Sequence, residues 1–230
     1  MGTGVDTNRS ARDAVLARVR KALDKTGDRA SARADADRYV AAHAQGPRPR
    51  VDGDLVARFL TRANDMASTV ERIAARTDIP AAVARYLEQV QPATGLARAN
   101  PHVGVCWPEL ADLDWSGAKL SIEVRPTQGQ DRLGITGCYC AIAETGTLVM
   151  ITGPETPTAT TLLPETHVAV VDPQRIVSGM EDAFALIRAE RGSLPRAINM
   201  ISGPSRTGDI EQTIVLGAHG PYRLHILLVG

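Results

Sequence analysis

The chain has 230 residues, 43% of them hydrophobic and 23% charged, with a formal net charge of zero, an ordinary composition for a globular protein. No apolar run approaches the roughly 18–20 residues that span a bilayer, and the N-terminus lacks a basic-then-apolar signal, so a cytoplasmic protein is expected. Aromatic residues make up only 3%, leaving Ala, Val, Leu and Ile to fill the core.

Charge is unevenly placed. Residues 1–50 carry 11 Lys/Arg against 6 Asp/Glu, which leaves 15 against 20 for the rest of the chain. Such an arm suits an acidic surface, and docking on the chain's own acidic body is the expectation. Nucleic acid is not expected, because base stacking needs more aromatic interleaving than this arm offers.

In chain order, Val15, Leu16, Val19, Ala22 and Leu23 fall on one helical stripe within 10–25. Pro47 and Pro49 then stiffen the boundary between a helical arm, 1–50, and a single α/β body, 51–230. The body opens with a helical part, 51–92. Asp52 or Asp54 caps a helix whose apolar face runs Leu55, Val56, Phe59, Leu60, Ala63, Met66, Val70, Ile73. Asp78 caps the next helix, with Pro80 in its first turn and Val83, Tyr86, Leu87 and Val90 inward.

From 103 to 230 the chain is rich in β-branched runs: 103–106, 120–124, 147–151, 167–171, 197–201 and 223–229. Their continuous apolar character predicts strands buried on both faces of a largely parallel sheet, covered by helices on both sides. One helix lies among them, with Ala183, Phe184 and Ile187 inward and Gly192 as its stop.

Two strand ends repeat a pattern: Met150-Ile151-Thr152-Gly153-Pro154 and Met200-Ile201-Ser202-Gly203-Pro204. Both are expected to leave one edge of the sheet, the carboxyl edge where open α/β sheets bind ligands. The later loop gathers Ser202, Gly203, Ser205, Arg206 and Thr207, the amides, hydroxyls and guanidinium that an anion requires. Asp209 and Glu211 follow where a helix would start, a position that also favours acidic residues without any ligand. His219, between glycines in "GAHGP", is a better site residue than His167 or His225, which sit in strand patterns. Glu144, ahead of a Thr-Gly-Thr turn, would serve as nucleophile or base if desolvated, or as a plain cap of backbone amides. Cys106, Cys138 and Cys140 form no CxxC motif and are read as small core residues; no metal site is expected.

Three blocks carry a family resemblance: "GITGCYCAIAETGTLVM" (134–150), "TTLLPETHVAVV" (160–171) and "ISGPSRTGDIEQTIVLGAHGPYRLHILLV" (201–229). Together they resemble the lactate utilisation protein C family, of the LUD domain group. The resemblance implies a fold like that of sugar-phosphate isomerases and CoA transferases. It also implies a role in oxidising L-lactate to pyruvate as a substrate-handling or accessory subunit. Iron–sulfur clusters would then sit on partner proteins, with no cofactor in this chain and a small carboxylate or phosphorylated ligand.

The ligand-binding set on this reading is Thr136, Gly146, Ser202, Gly203, Ser205, Arg206, Asp209 and His219. One departure concerns the loop before "LLP", which often carries arginine in the family. Here it reads "PETPTATT", leaving Thr158, Thr160, Thr161 or amides for any anion contact. Two other functions compete. A stand-alone acyl-CoA or phosphosugar enzyme would use Glu144 of Glu144-Thr145-Gly146 as its catalytic nucleophile, an analogy resting on fold. A non-catalytic anion-sensing module would use the same loops.

Overall fold

The computed structural model describes residues 4–23, 29–90, 102–208 and 215–230. The chain divides into two units, Met1–Arg48 and Pro49–Gly230. The first holds helices α1 (Gly4–Ala22) and α2 (Arg29–Ala42). In α1 the stripe residues Val15, Val19 and Leu23 are exposed, and α2 buries none of its residues.

The second unit begins with α3 (Leu55–Asp65), whose N-cap Asp54 accepts from the amides of Val56 (2.8 Å) and Ala57 (3.3 Å). The helix ends earlier than its apolar spacing suggests. Ala67 takes a left-handed conformation (φ 63°), and Thr69–Ile73 form strand β1 instead. Val70 and Ile73 keep helical spacing from Met66 by coincidence. Pairing with the C-terminal strand and β-branched character decide the outcome. A 3-10 turn over Arg76–Asp78, whose Asp78 carboxylate accepts from the Ala75 amide (3.0 Å), leads into α4 (Ile79–Val90).

Six strands form one wholly parallel sheet: β1, β2 (Val103–Cys106), β3 (Ser121–Val124), β4 (Leu133–Thr136), β7 (Thr166–Val171) and β12 (Arg223–Val229). Their spatial order is β1-β12-β7-β4-β2-β3. Between β4 and β7 the chain makes β5 (Cys140–Ile142), β6 (Thr147–Ile151) and the single-turn α5 (Ala159–Leu162). Between β7 and β12 it makes β8 (Ile176–Val177), α6 (Met180–Arg191), β9 (Ile198–Ile201) and the small hairpin β10 (Arg206–Thr207) and β11 (Val215–Leu216). A second, four-stranded sheet has the order β8-β5-β6-β9.

Layering follows from which side chains each strand turns to which face. On one face of the parallel sheet, Ile135, Val168 and Leu227 pack under Ile79, Val83 and Leu87 of α4. On the other, Ala169, Ile226 and Leu228 meet Phe59 and Ala63 of α3 and Leu148 and Met150 of the second sheet. The second sheet's far side buries Ile142, Val149 and Ile151 beneath Ala183 and Ile187 of α6. Each such fully buried aliphatic side chain stabilises the fold by about 1.5–3 kcal/mol. The fold is thus an α/β sheet covered on both faces.

The repeated Met-Ile segments do not share an edge. β6 and β9 pair antiparallel, with Val149 opposite Met200 and Met150 opposite Asn199. Gly153-Pro154 and Gly203-Pro204 therefore leave opposite ends of the second sheet, and the expectation of one common edge is corrected. The cysteines are free. Cys106 and Cys140 are buried, and burial pushes their thiols up to about 11, while half-buried Cys138 is pushed higher still. That leaves them as packing groups.

His167 is fully buried, and burial lowers its pKa from 6.5 to about 3. The unfolded chain takes up that proton below pH 6.5, whereas the folded protein refuses it until about pH 3. Stability from this group is therefore complete above pH 6.5 and is lost as pH falls toward 3. At pH 5 the loss is about 2 kcal/mol. Urea unfolding at pH 7 and pH 5 is expected to show a pH difference smaller by about that amount in His167→Gln than in the parent. An equal difference in both proteins would refute a neutral buried imidazole.

A second expectation concerns Gly203 (φ 77°), where an added Cβ would strike the Met66 carbonyl. Gly192 (φ 68°), at the end of α6, faces open space. Both alanine variants bear the left-handed strain of about 1–2 kcal/mol, and only Gly203→Ala adds a clash. Gly203→Ala is expected to lower the urea midpoint at least twice as far as Gly192→Ala. Equal losses would show that the Met66 contact is loose.

Candidate functional site at the amino edge of the parallel sheet

Because β9 runs antiparallel to β6, the exit of β9 meets the entrance of β6. The Ser202 and Thr147 hydroxyls lie 2.6 Å apart, and Thr147 continues to Thr145 at 2.7 Å. The β5–β6 turn and the Ser202-Gly203 segment both close on the last turns of α3. Gly146 (φ 67°) lies against the backbone of Arg62 and Ala63, and Gly203 against the Met66 carbonyl. Only glycine allows this approach. Glu144 is half-buried in the same turn, its amide donating to the Ser178 carbonyl (3.1 Å). Glu144, Gly146, Ser202 and Gly203 are thus brought together.

Three residues after Ser202, Ser205 organises the loop between β11 and β12. Its amide donates to Pro221 O (2.9 Å), its carbonyl accepts from Gly217 N (3.0 Å), and its hydroxyl accepts from His219 N (3.4 Å). Arg206 stands exposed opposite Leu216, and His219 is exposed near the loop's tip. Asp209 and Glu211 lie outside the described residues.

Thr136 belongs elsewhere. It is buried in the parallel sheet, its hydroxyl bonded to His167 Nε2 (2.8 Å) and Gly137 O (2.9 Å). The threonines suggested as anion contacts are also occupied or buried. Thr160 and Thr161 are fully buried, and the Thr158 hydroxyl meets Thr152 (2.7 Å) and Asn199 (3.2 Å).

Beside the Ser205 loop is a cavity of about 810 Å³. Its lining comes from the segments just before β4, β7 and β12: Asp131 and Arg132, Leu163 and Glu165, Tyr222 and Arg223. Leu216 of β11, Gly217 and Gly220 of the loop that follows it, and Gly129 and Gln130 complete it. It therefore opens at the amino ends of three adjacent strands, not at the carboxyl edge where the sequence pointed. Its size is that of an ordinary small-molecule site.

The electrostatics centre on Glu165. Its carboxylate accepts from Arg223 (2.8 Å) and, more weakly, from Arg132 (3.5 Å). Arg223 also donates to the Thr166 hydroxyl (3.2 Å) and stacks its guanidinium over the Tyr222 ring (5.1 Å). Asp131 is fixed from outside. Both oxygens accept from Arg125 at 2.8 Å, with further donations from Thr127 Oγ1 (2.9 Å) and Gln128 N (3.0 Å). The Arg125 guanidinium holds this carboxyl well below the usual carboxylate range. A carboxylate or phosphate entering the cavity would meet Arg132 first, the less committed guanidinium, against an apolar wall of Leu163 and Leu216.

Patterning in the sequence does not single out Arg132, Glu165, Tyr222 and Arg223. Their one legible signal is that Glu165, Tyr222 and Arg223 stand inside the most distinctive blocks, immediately ahead of strands. Among the described residues no group of three or more His, Cys, Asp or Glu is placed to hold a metal ion. No helix among them is long and apolar enough to cross a membrane.

Comparison with known proteins gives the family and the fold. Lactate utilization protein C of Bacillus subtilis is 34% identical over 119 residues, covering 50% of this chain and 49% of that protein. Lactate utilization protein C of Exiguobacterium sp. is 31% identical over 147 residues, covering 62% and 64%. The chain spans about half the length of the first curated relatives it matches. The crystal structure of a DUF162 family protein from Deinococcus radiodurans has the same fold, with a TM-score of 0.51, 23% identity, and coverage of 79% of this chain and 100% of that one. The LUD domain matches residues 108–229, more than half of the chain and every residue that lines the cavity. The chain belongs to the LUD domain family.

Proposed function

We propose that this protein is a component of an L-lactate utilisation system, in which lactate is oxidised to pyruvate. In this reading it handles the small carboxylate as an accessory subunit. The carrying observation is that every residue lining the amino-edge cavity lies within the matched LUD domain, and relatives 34% and 31% identical over 119 and 147 residues are named for lactate utilisation. The carboxylate binds Arg132, displacing the weaker contact of Glu165, while Arg223 keeps Glu165 paired and in place. Removal of two electrons from the hydroxyl-bearing carbon would fall to iron–sulfur partner proteins, as the family resemblance implies.

The reading is tested by deleting the protein from a strain without another L-lactate dehydrogenase. Growth on L-lactate is expected to fail and to return with the intact gene; normal growth of the deletion strain would end the proposal. In the purified protein, Arg132→Gln is expected to weaken L-lactate or pyruvate binding by about 10-fold or more, the loss of one charge-assisted hydrogen bond. Arg132 is half-exposed, so the fold tolerates the change. Unaltered affinity by calorimetry would remove the cavity from the account.

A further inference from the structure

The parallel sheet has a second edge, and its topology marks one place on it. After β2 the chain moves outward to β3; after β4 it moves the opposite way, to β7. The chain thus leaves these two neighbouring strands in opposite directions, the arrangement that forms a ligand crevice at the carboxyl ends of open parallel sheets. This crevice lies at the opposite edge from the cavity bordered by Arg132 and Arg223.

One side chain spans it. Glu109, in the 3-10 turn Pro108–Leu110 after β2, reaches across to Gly137 just beyond β4. The Gly137 amide bonds to its carboxylate, and any side chain at 137 would occupy the carboxylate's own place. Arg76 holds the same turn, donating to the Glu109 carbonyl and to both oxygens of Asp112 at 2.7 Å. Burial raises the Glu109 acid above its ordinary range, with the Gly137 amide and Arg76 opposing.

Gly137 is fixed from behind as well. The Thr136 hydroxyl donates to the Gly137 carbonyl (2.9 Å), so it accepts from His167 Nε2–H at 2.8 Å. That leaves His167 Nδ1 as a fully buried acceptor without a partner, and the Thr160 hydroxyl is likewise buried and unpartnered. Buried polar groups of this kind cost about 1–3 kcal/mol each. On the far side, Trp107 Nε1 donates to Pro157 O (3.3 Å) and ties the 153–158 loop to this edge.

We propose that the β2–β4 crevice is a second binding site, for a hydroxylated small molecule whose hydroxyl donates to the Glu109 carboxylate. A carboxylate held by one backbone amide keeps acceptor capacity for a ligand hydroxyl, as acidic residues at such crevices do for ribose. The hydroxyl can belong to a hydroxy acid or to a ribose. The proposal does not rest on the lactate reading.

The test uses ¹⁵N-labelled protein titrated separately with L-lactate and with AMP. Saturable shifts of the Gly137 amide and the Trp107 indole are expected with one of them, which identifies the source of the hydroxyl. Glu109→Gln, which keeps side-chain shape, is expected to weaken the response about 10-fold. Absence of shifts at these two signals with both probes at millimolar concentration would overturn the site, as would a response unchanged in Glu109→Gln. Lactate shifts confined to residues around Arg132 would leave the amino-edge site standing and this one refuted.

Discussion

The antiparallel pairing of Thr147–Ile151 with Ile198–Ile201 governs the placement of the distinctive loops. It brings the Ser202 end of one strand to the Thr147 end of the other, and a hydroxyl chain joins them. From there Gly203 passes directly over the end of α3, which a larger residue could not do. The chain then arrives at the amino edge of the parallel sheet with Ser205 placed to pin the loop ahead of β12. Had the two strands been parallel, the Ser202 segment would have left at the carboxyl edge, away from Arg132 and Arg223.

Much of this fold was legible. Strands 147–151 and 223–229 have the bounds read from their apolar runs, and α6 stops at a left-handed Gly192 as its sequence indicates. β1 was hidden because Met66, Val70 and Ile73 also satisfy helical spacing, and only pairing with β12 distinguishes the two. β4 and β5 were hidden by their length and by the glycines around them. For the site, direction was not legible. The Ser205 hydroxyl accepts from the His219 amide across the β10–β11 pair, whereas the common edge for both Gly-Pro turns failed. Strand direction depends on non-local pairing, which a periodic pattern does not encode.

The same limit hides the cavity's charged residues in the sequence. Arg132, Glu165 and Arg223 each stand one residue ahead of or at the start of a strand, where a charge ordinarily faces solvent. Sequence separates them by 33 and 58 residues. They converge only because β4, β7 and β12 are spatial neighbours in register, with Leu133 beside Thr166 and Thr166 beside Arg223. A charged cluster of this kind is a property of strand order.

That cluster also constrains how a ligand is held. Glu165 already satisfies Arg223 and leans on Arg132, so the cavity carries an internal carboxylate before any ligand arrives. An incoming carboxylate would exchange places with part of that contact, and its electrostatic gain would be the difference between two similar ion pairs. Affinity on such terms would be moderate, with discrimination left to shape against Leu163, Leu216 and Tyr222.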